Sequence, residues 1–245
     1  MHSYKSILVV LMLTLLTSCG DEPFCNCFES TGATISETRN LEAFNKLEIF
    51  NNVSVNIHRS NDYKVVVHCG SQLVDGIRTE IDNQRLLISN VNRCNWMRNP
   101  GNEFIVDVYA PELTEIVYRS AGDIKCIDTI STNQFLGESW DGTGTMDLLL
   151  DCNETYLKIH TGPADINARG ETDLSFVYNT GNGYIRAGDL KSINAIAVSK
   201  STGDCYIHCS STLNAKIQYQ GDVFYAGQPT SIQKEITGSG KLIPY

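Results

Sequence analysis

The most reactive residue types stand close together at 203–209, which read GDCYIHC and include Cys205, His208 and Cys209. Thiolates and imidazoles ligate zinc, and paired thiols form disulfides, so the stretch invites a metal or redox reading. The spacing argues against both. The segment alternates as a strand does, and residues i and i+4 of a strand share a face with Cα atoms ~13 Å apart. A disulfide needs about 7 Å or less. Cys205 and Cys209 therefore read as buried thiols acting as small apolar side chains, with His208 on the opposite face. The five histidines (2, 58, 68, 160, 208) show no metal-ligand spacing, and no G-x-S-x-G nucleophile motif occurs. His58 and His68 fit strand faces instead. Asp204 and Asp222 follow successive glycines, with Asn182 before them. Two such carboxylates splay into solvent, cap turns or share a Ca²⁺, and turn-capping is the commoner arrangement. The residues thus imply no catalytic group, no cofactor and no metal.

The second chemical signal lies near the start. Lys5 precedes the apolar run Ile7–Leu16, which leads into Leu16, Thr17, Ser18 and Cys19. Such a run is the length of a signal-peptide core, about half of what spans a bilayer. Leu16–Cys19 resemble the bacterial lipobox, in which the cysteine thiol is lipidated and the chain is cut just before it. This reading divides the chain into a signal peptide (1–18), a polar tether (19–43) and a head (44–245). Cys19 is the lipidation site and joins the protein to a membrane.

The formal net charge is −9, and loss of Lys5 with the signal peptide makes it one more negative. Nucleic acid and anionic surfaces are poor partners for such a chain. Nine cysteines occur. With Cys19 lipidated and Cys205 and Cys209 buried, the pairing of Cys25, Cys27, Cys69, Cys94, Cys126 and Cys152 stays open; Cys69 with Cys94 and Cys25 with Cys27 are two options.

The elements that would position these groups are strands. LEIFNNVSVNIHRS, YKVVVHC, IRTEI and RLLIS alternate apolar with polar residues between turn signals, and no segment has a helical period. After Pro111 a repeat sets in, anchored on Gly122, Gly142, Gly162, Gly181, Gly203, Gly221 and Gly238. Four places after each anchor stand Cys126, Met146, Ile166, Ile185, Ile207, Tyr225 and Leu242. Offsets two, four and six share one buried face, and Leu157/Ile159, Ile196/Val198 and Ala215/Ile217 supply a second strand. Phe104, Val106 and Val108 fit a further rung without a glycine. The unit is that of a parallel β-helix, or β-solenoid, with rungs of about 20 residues. On its outer side, three places after the anchors, Tyr184, Tyr206 and Phe224 form an aromatic stripe flanked by Arg186 and His208. This is the candidate ligand site, since aromatic faces beside hydrogen-bonding groups suit sugar rings or extended peptides.

The opening FNKLEIFNNVSVNIHRSNDYKVVVHC, then IRTEIDNQRLLIS and the ladder RSAGDI, HTGPADI, NTGNGYI, KSTGDCYI and GSGKLI together resemble the auto-transporter adhesin head, or GIN, domain family (domain of unknown function 2807), over about residues 44–245. The resemblance implies a right-handed parallel β-helix on a lipoprotein of the cell envelope, attached to the outer membrane and either surface-exposed or periplasmic. CGDE after the lipobox is similar to the acidic signal that sends some such lipoproteins to the outer surface. The implied role is adhesion or ligand binding, with a glycan or protein as partner. The alternative is a non-enzymatic structural or assembly factor of the periplasm. A polysaccharide lyase or hydrolase would need convergent carboxylates and a basic residue, which the pattern does not supply.

Overall fold

The computed structural model describes residues 30–93 and 104–245. The chain divides into two units, and apart from Ser30 and Arg93 the described residues belong to the larger, Thr31–Asn92 and Gly101–Tyr245. Cys19, Cys25, Cys27 and Cys94, with the signal and most of the tether, lie outside the described residues.

Strands dominate, arranged as a β-solenoid of about six turns. In chain order they are β1 (Thr34–Asn40), β2 (Lys46–Asn51), β3 (Ser54–Arg59), β4 (Lys64–Gly70), β5 (Ile77–Asp82), β6 (Arg85–Asn90), β7 (Ile105–Ala110), β8 (Glu115–Ser120) and β9 (Ile124–Cys126). They continue with β10 (Ile130–Trp140), β11 (Thr145–Thr161), β12 (Asp165–Asn179), β13 (Ile185–Ser199), β14 (Cys205–His208), β15 (Thr212–Ile217), β16 (Val223–Ala226), β17 (Ser231–Ile236) and β18 (Leu242–Pro244).

The pairings build two walls. Wall one runs β5, β6, β2, β8, the C-terminal halves of β10 to β13, then β15 and β17. Wall two runs β1, β4, β7, β3, β9, the N-terminal halves of β11 to β13, then β14, β16 and β18. The chain follows wall one, turns near a glycine, follows wall two and bends back. The long strands β11 to β13 make that bend without a break.

Strict alternation decides what fills the interior. In wall two Ile124, Met146, Ile166, Ile185, Cys205 and Val223 stack in register and are fully buried. In wall one Tyr118, Ser139, Ile159, Asn179, Ser199 and Ile217 form such a row, large side chains offsetting small ones. Each buried Val, Leu or Ile contributes about 1.5–3 kcal/mol, and the repetition sums this along the axis.

Four expectations are corrected. First, strand structure begins at Thr34, inside the expected tether, because β1 pairs antiparallel with β4 from Thr34·Gly70 to Asn40·Lys64. Its sequence, TISETRN, has one apolar residue, in keeping with a strand neither of whose faces is buried. Second, the glycine register shifts by two residues at three places. Ile124 pairs with Met146, Ile185 with Cys205 and Val223 with Leu242. The glycines that stack late in the chain are Gly183, Gly203, Gly221 and Gly240; Gly183 approaches the Ala164 carbonyl, and each of the others the carbonyl of the glycine before, so closely that a Cβ would collide. A shift of two preserves the face, so Cys205 and Cys209 do point inward. Their neighbours change, however, and Cys205 stacks between Ile185 and Val223. Third, the offset-six column breaks, with Asp128, Gly227 and Pro244 exposed. Fourth, the apolar pairs of the second strand do not share one face: Leu157, Ile159, Ala215 and Ile217 face inward, whereas Ile196 and Val198 face outward and Ala195 and Ala197 take the inner places.

The two ends are finished differently. At the N-terminal end β1 and β5 run antiparallel to their neighbours, and Arg39 of β1 donates to the carbonyls of Val74 and Ile77 around a 3-10 turn. At the C-terminal end β17 sets Ile232, Lys234 and Ile236 in the inward row against Leu213, Ala215 and Ile217. A charge in an inward row and a proline on an edge strand both discourage a further strand. Lys234 and Pro244 do this in β17 and β18.

Candidate binding surfaces

On the outside of wall two the corrected register makes one row of Lys125, Asp147, Asn167, Arg186, Tyr206, Phe224 and Ile243. It brings together three of the five expected site residues: Arg186, Tyr206 and Phe224. The rings of Tyr206 and Phe224 stack at 4.7 Å and 8°. Tyr245 closes over both edge-on, at 5.8 and 6.3 Å, and desolvation raises its phenol pKa. Each of the stacked rings has thus spent one face on the other. Tyr184 is not in the stripe; its ring lies 4.7 Å from the Arg186 guanidinium, which also donates to Asp165 Oδ2 at 2.6 Å. His208 is turned to another hollow, of about 430 Å³, beside Asp151, Glu171 and Lys191, and its Nδ1 accepts from the Ser192 amide at 3.3 Å.

The aspartates after the glycines have a structural task. Asp123 accepts the Thr145 amide, Asp165 the Tyr184 amide, Asp204 the Asp222 amide and Asp222 the Lys241 amide, at 2.7–2.8 Å. Each carboxylate caps the next rung at the turn. Near the other end Asp107 gathers His68 Nε2 at 2.9 Å and Asn56 Nδ2 at 2.8 Å, while His68 Nδ1 lies 2.8 Å from Ser36 Oγ. Because a carboxylate only accepts, His68 donates to Asp107 from Nε2–H. This polar row crosses β1, β4, β7 and β3 and ties the edge strand down. Among the described residues no group of His, Cys, Asp or Glu is arranged to hold a metal ion.

The five described cysteines are buried free thiols. Desolvation raises all five, Cys126 to about 11 and Cys205 to about 12, so they carry no thiolate at neutral pH.

Wall one holds a surface that sequence reasoning missed. Its outer side carries the in-register row Leu136, Tyr156, Phe176 and Ile196, all half-buried. The adjacent row continues with Tyr178 and Val198. Beside them Trp140 stacks on His160 at 3.9 Å and 12°, and His160 Nε2 donates to Glu138 Oε2 at 3.0 Å. Cations attend the rings: Arg119 5.6 Å from Trp140, Lys158 5.9 Å from Tyr156 and Lys200 5.8 Å from Tyr178. Toward the N-terminal end the patch is bordered by an ion-pair network of Lys46, Glu48, Arg85, Glu115 and Arg119. Toward the other end Asn214, Lys216, Gln233 and Glu235 border it. An apolar, aromatic centre inside a polar rim is the anatomy of an interface. The available signal was that LSFVYN and NAIAVS are apolar on both faces, as strands covered on both sides are.

A β-solenoid of this kind is the architecture of adhesin-like domains. The chain belongs to the family described as "Putative auto-transporter adhesin, head GIN domain", whose model matches residues 43–229. Solved structures share the fold. One named a putative adhesin, from Bacteroides fragilis, superposes with a TM-score of 0.79 at 18% identity over 87% of this chain and 97% of its own. A second putative adhesin, from Parabacteroides distasonis, gives 0.66 at 16%, over 87% and 98%. A protein of the same species named a putative lipid binding protein gives 0.64 at 18%, over 86% and 96%. No curated protein matches the chain.

Proposed function

We propose that this protein is a lipid-anchored binding module of the cell envelope, held by Cys19, and that the outer side of wall one takes a protein partner. The adhesin-like family supports an envelope setting, and the lipobox-like Leu16–Cys19 supports the anchor. The observation that carries the binding face is the row Leu136–Tyr156–Phe176–Ile196, four large apolar side chains on the outside of a sheet. Tyr, Trp and Arg in a desolvated centre are the residues that carry binding energy between proteins. A sugar would need open ring faces, whereas Trp140 and His160 face each other and Arg119 lies against Trp140. The stripe of Arg186, Tyr206 and Phe224, with Tyr184 and His208 nearby, is the secondary candidate surface.

Two measurements test the reading. Protease shaving of intact cells, with Cys19→Ala as the unanchored control, removes the head if it faces outward; protection until the outer membrane is opened would move the role to the periplasm. Probing parallel arrays of matrix proteins and glycans with the wild type, Phe176→Glu and Tyr206→Ala should show protein binding that Phe176→Glu abolishes. Glycan binding lost in Tyr206→Ala would transfer the site to wall two.

A further inference from the structure

The rows of wall one are complementary to themselves. An axis of two-fold symmetry lying along the strands, between β11 and β12, would carry β11 onto β12, β10 onto β13 and β8 onto β15 of a second copy. It sets Leu136 against the second copy's Ile196 and Tyr156 against its Phe176, apolar on apolar, while Glu138 comes against Val198 and Glu154 against Leu174, each carboxylate keeping its partner within its own chain, His160 and the Tyr156 hydroxyl. It sets Lys158 against Tyr178, which repeats between copies the cation–aromatic contact that Lys158 makes with Tyr156 within one. At the rim Glu115 meets Asn214. The one like-charge pair, Glu48 with Glu235, is compensated in each chain, Glu48 by Arg85 and Arg119 and Glu235 by Lys216.

We propose that the partner of this face is a second copy of the same chain, so that heads pair wall one to wall one. The inference rests on the binding-face reading above. Area supports it: eight strands at ~4.8 Å by about six residues at ~3.3 Å give roughly 750 Å², close to the ~800 Å² per partner of a standard stable interface. Two sheets stacked with strands nearly aligned is also the common way for such faces to pack. A lipid surface fits less well, because Glu138 and Glu154 stand in or beside the patch and Glu138 is only 17% exposed. Pairing through the faces leaves both solenoid ends free, in keeping with Lys234 and Pro244 guarding the C-terminal one.

The test uses the chain from residue 20 onward, which keeps every described residue, in sedimentation equilibrium from about 1 to 100 µM. The wild type should be a dimer. Phe176→Glu should weaken association at least 30-fold, the loss roughly expected of a central aromatic anchor, while still unfolding in one cooperative transition whose midpoint, unlike that of the wild type, does not rise with protein concentration. Tyr206→Glu, on the other wall, should stay dimeric. The sharpest arm pairs Leu136→Lys with Ile196→Glu: each alone should be monomeric, and the mixture should form a heterodimer because the two positions face each other. A wild type monomeric throughout, a dimer indifferent to Phe176→Glu, or no heterodimer on mixing would each overturn the pairing. If the chain stays monomeric while Phe176→Glu still loses a protein from the arrays, homotypic pairing falls and the binding-face function stands.

Discussion

The two walls share one interior and differ in what they show to solvent. On wall two the outward row alternates partners it can satisfy within the sheet: Asn167 donates to Asp147, Arg186 to Asp165, and Tyr206 stacks on Phe224 beneath Tyr245. On wall one the row Leu136–Tyr156–Phe176–Ile196 has apolar neighbours along the sheet, and its one polar atom, the Tyr156 hydroxyl, donates to Glu154 at 2.9 Å. Both walls obey the same inward alternation, so packing of the core does not require the difference. On wall two the outward polar groups are paired off from rung to rung; on wall one a continuous apolar row is left half-buried at the surface.

The comparison breaks most readily from inside. Leu157→Ala, in the inner row of wall one, should lose about 3 kcal/mol of stability in chemical denaturation. Tyr156→Ala, its outward neighbour, should lose less than about 1 kcal/mol. Equal losses would mean that the outward row is structural after all. Gly203→Ala should cost on the order of 2 kcal/mol, because the added Cβ would meet the Gly183 carbonyl oxygen and the turn must yield; a urea midpoint unchanged from wild type would refute the stacked-glycine register. The outer faces separate in a finer comparison. Tyr206→Ala should lower stability by about 1 kcal/mol through its stack with Phe224. Phe176→Ala should leave the melting temperature nearly unchanged while weakening association.

The smallest effect is a pH dependence common to both interiors. Tyr118 in wall one is pushed up to about 12, and Cys126 and Cys205 in wall two to about 11 and about 12, in each case mainly by desolvation. Groups whose folded pKa is raised hold their stabilising effect at pH below the unfolded value and lose it as pH rises toward the folded one. Stability should therefore be flat with respect to these groups below pH 9 and fall between about 9 and 12. Cys126→Ala and Cys205→Ala should each flatten that alkaline slope, whatever they do to absolute stability. An unaltered slope would remove the thiols from the account.

Much of the fold was legible because its signals are local. Apolar alternation placed Ile166, Ile185, Ile207 and Val223 inside, and the glycines marked the turns. The site was less legible. Arg186, Tyr206 and Phe224 were found together, since all lie outward on neighbouring strands, but Tyr184 was added by a register two residues off, and Tyr245 was invisible as their cover. Periodicity of two reports which face a side chain takes and is blind to an even shift, so facing survived where neighbours did not.

The sequence alone determined the repeat, the buried rows, the inert thiols Cys205 and Cys209 and the likeness to the adhesin head family. Tertiary structure decided the register, because backbone hydrogen bonds between rungs and the close approach of Gly203 to Gly183 are not local. It decided that β1 belongs to the head, because a polar edge strand is recognisable only from its partner. It also decided the aromatic face of wall one. In a strand apolar on both sides, as in SFVY or AIAV, alternation cannot say which set is inside; that choice follows from the volume left by neighbouring rungs, which admitted Ala195 and Ala197 and turned Ile196 and Val198 outward.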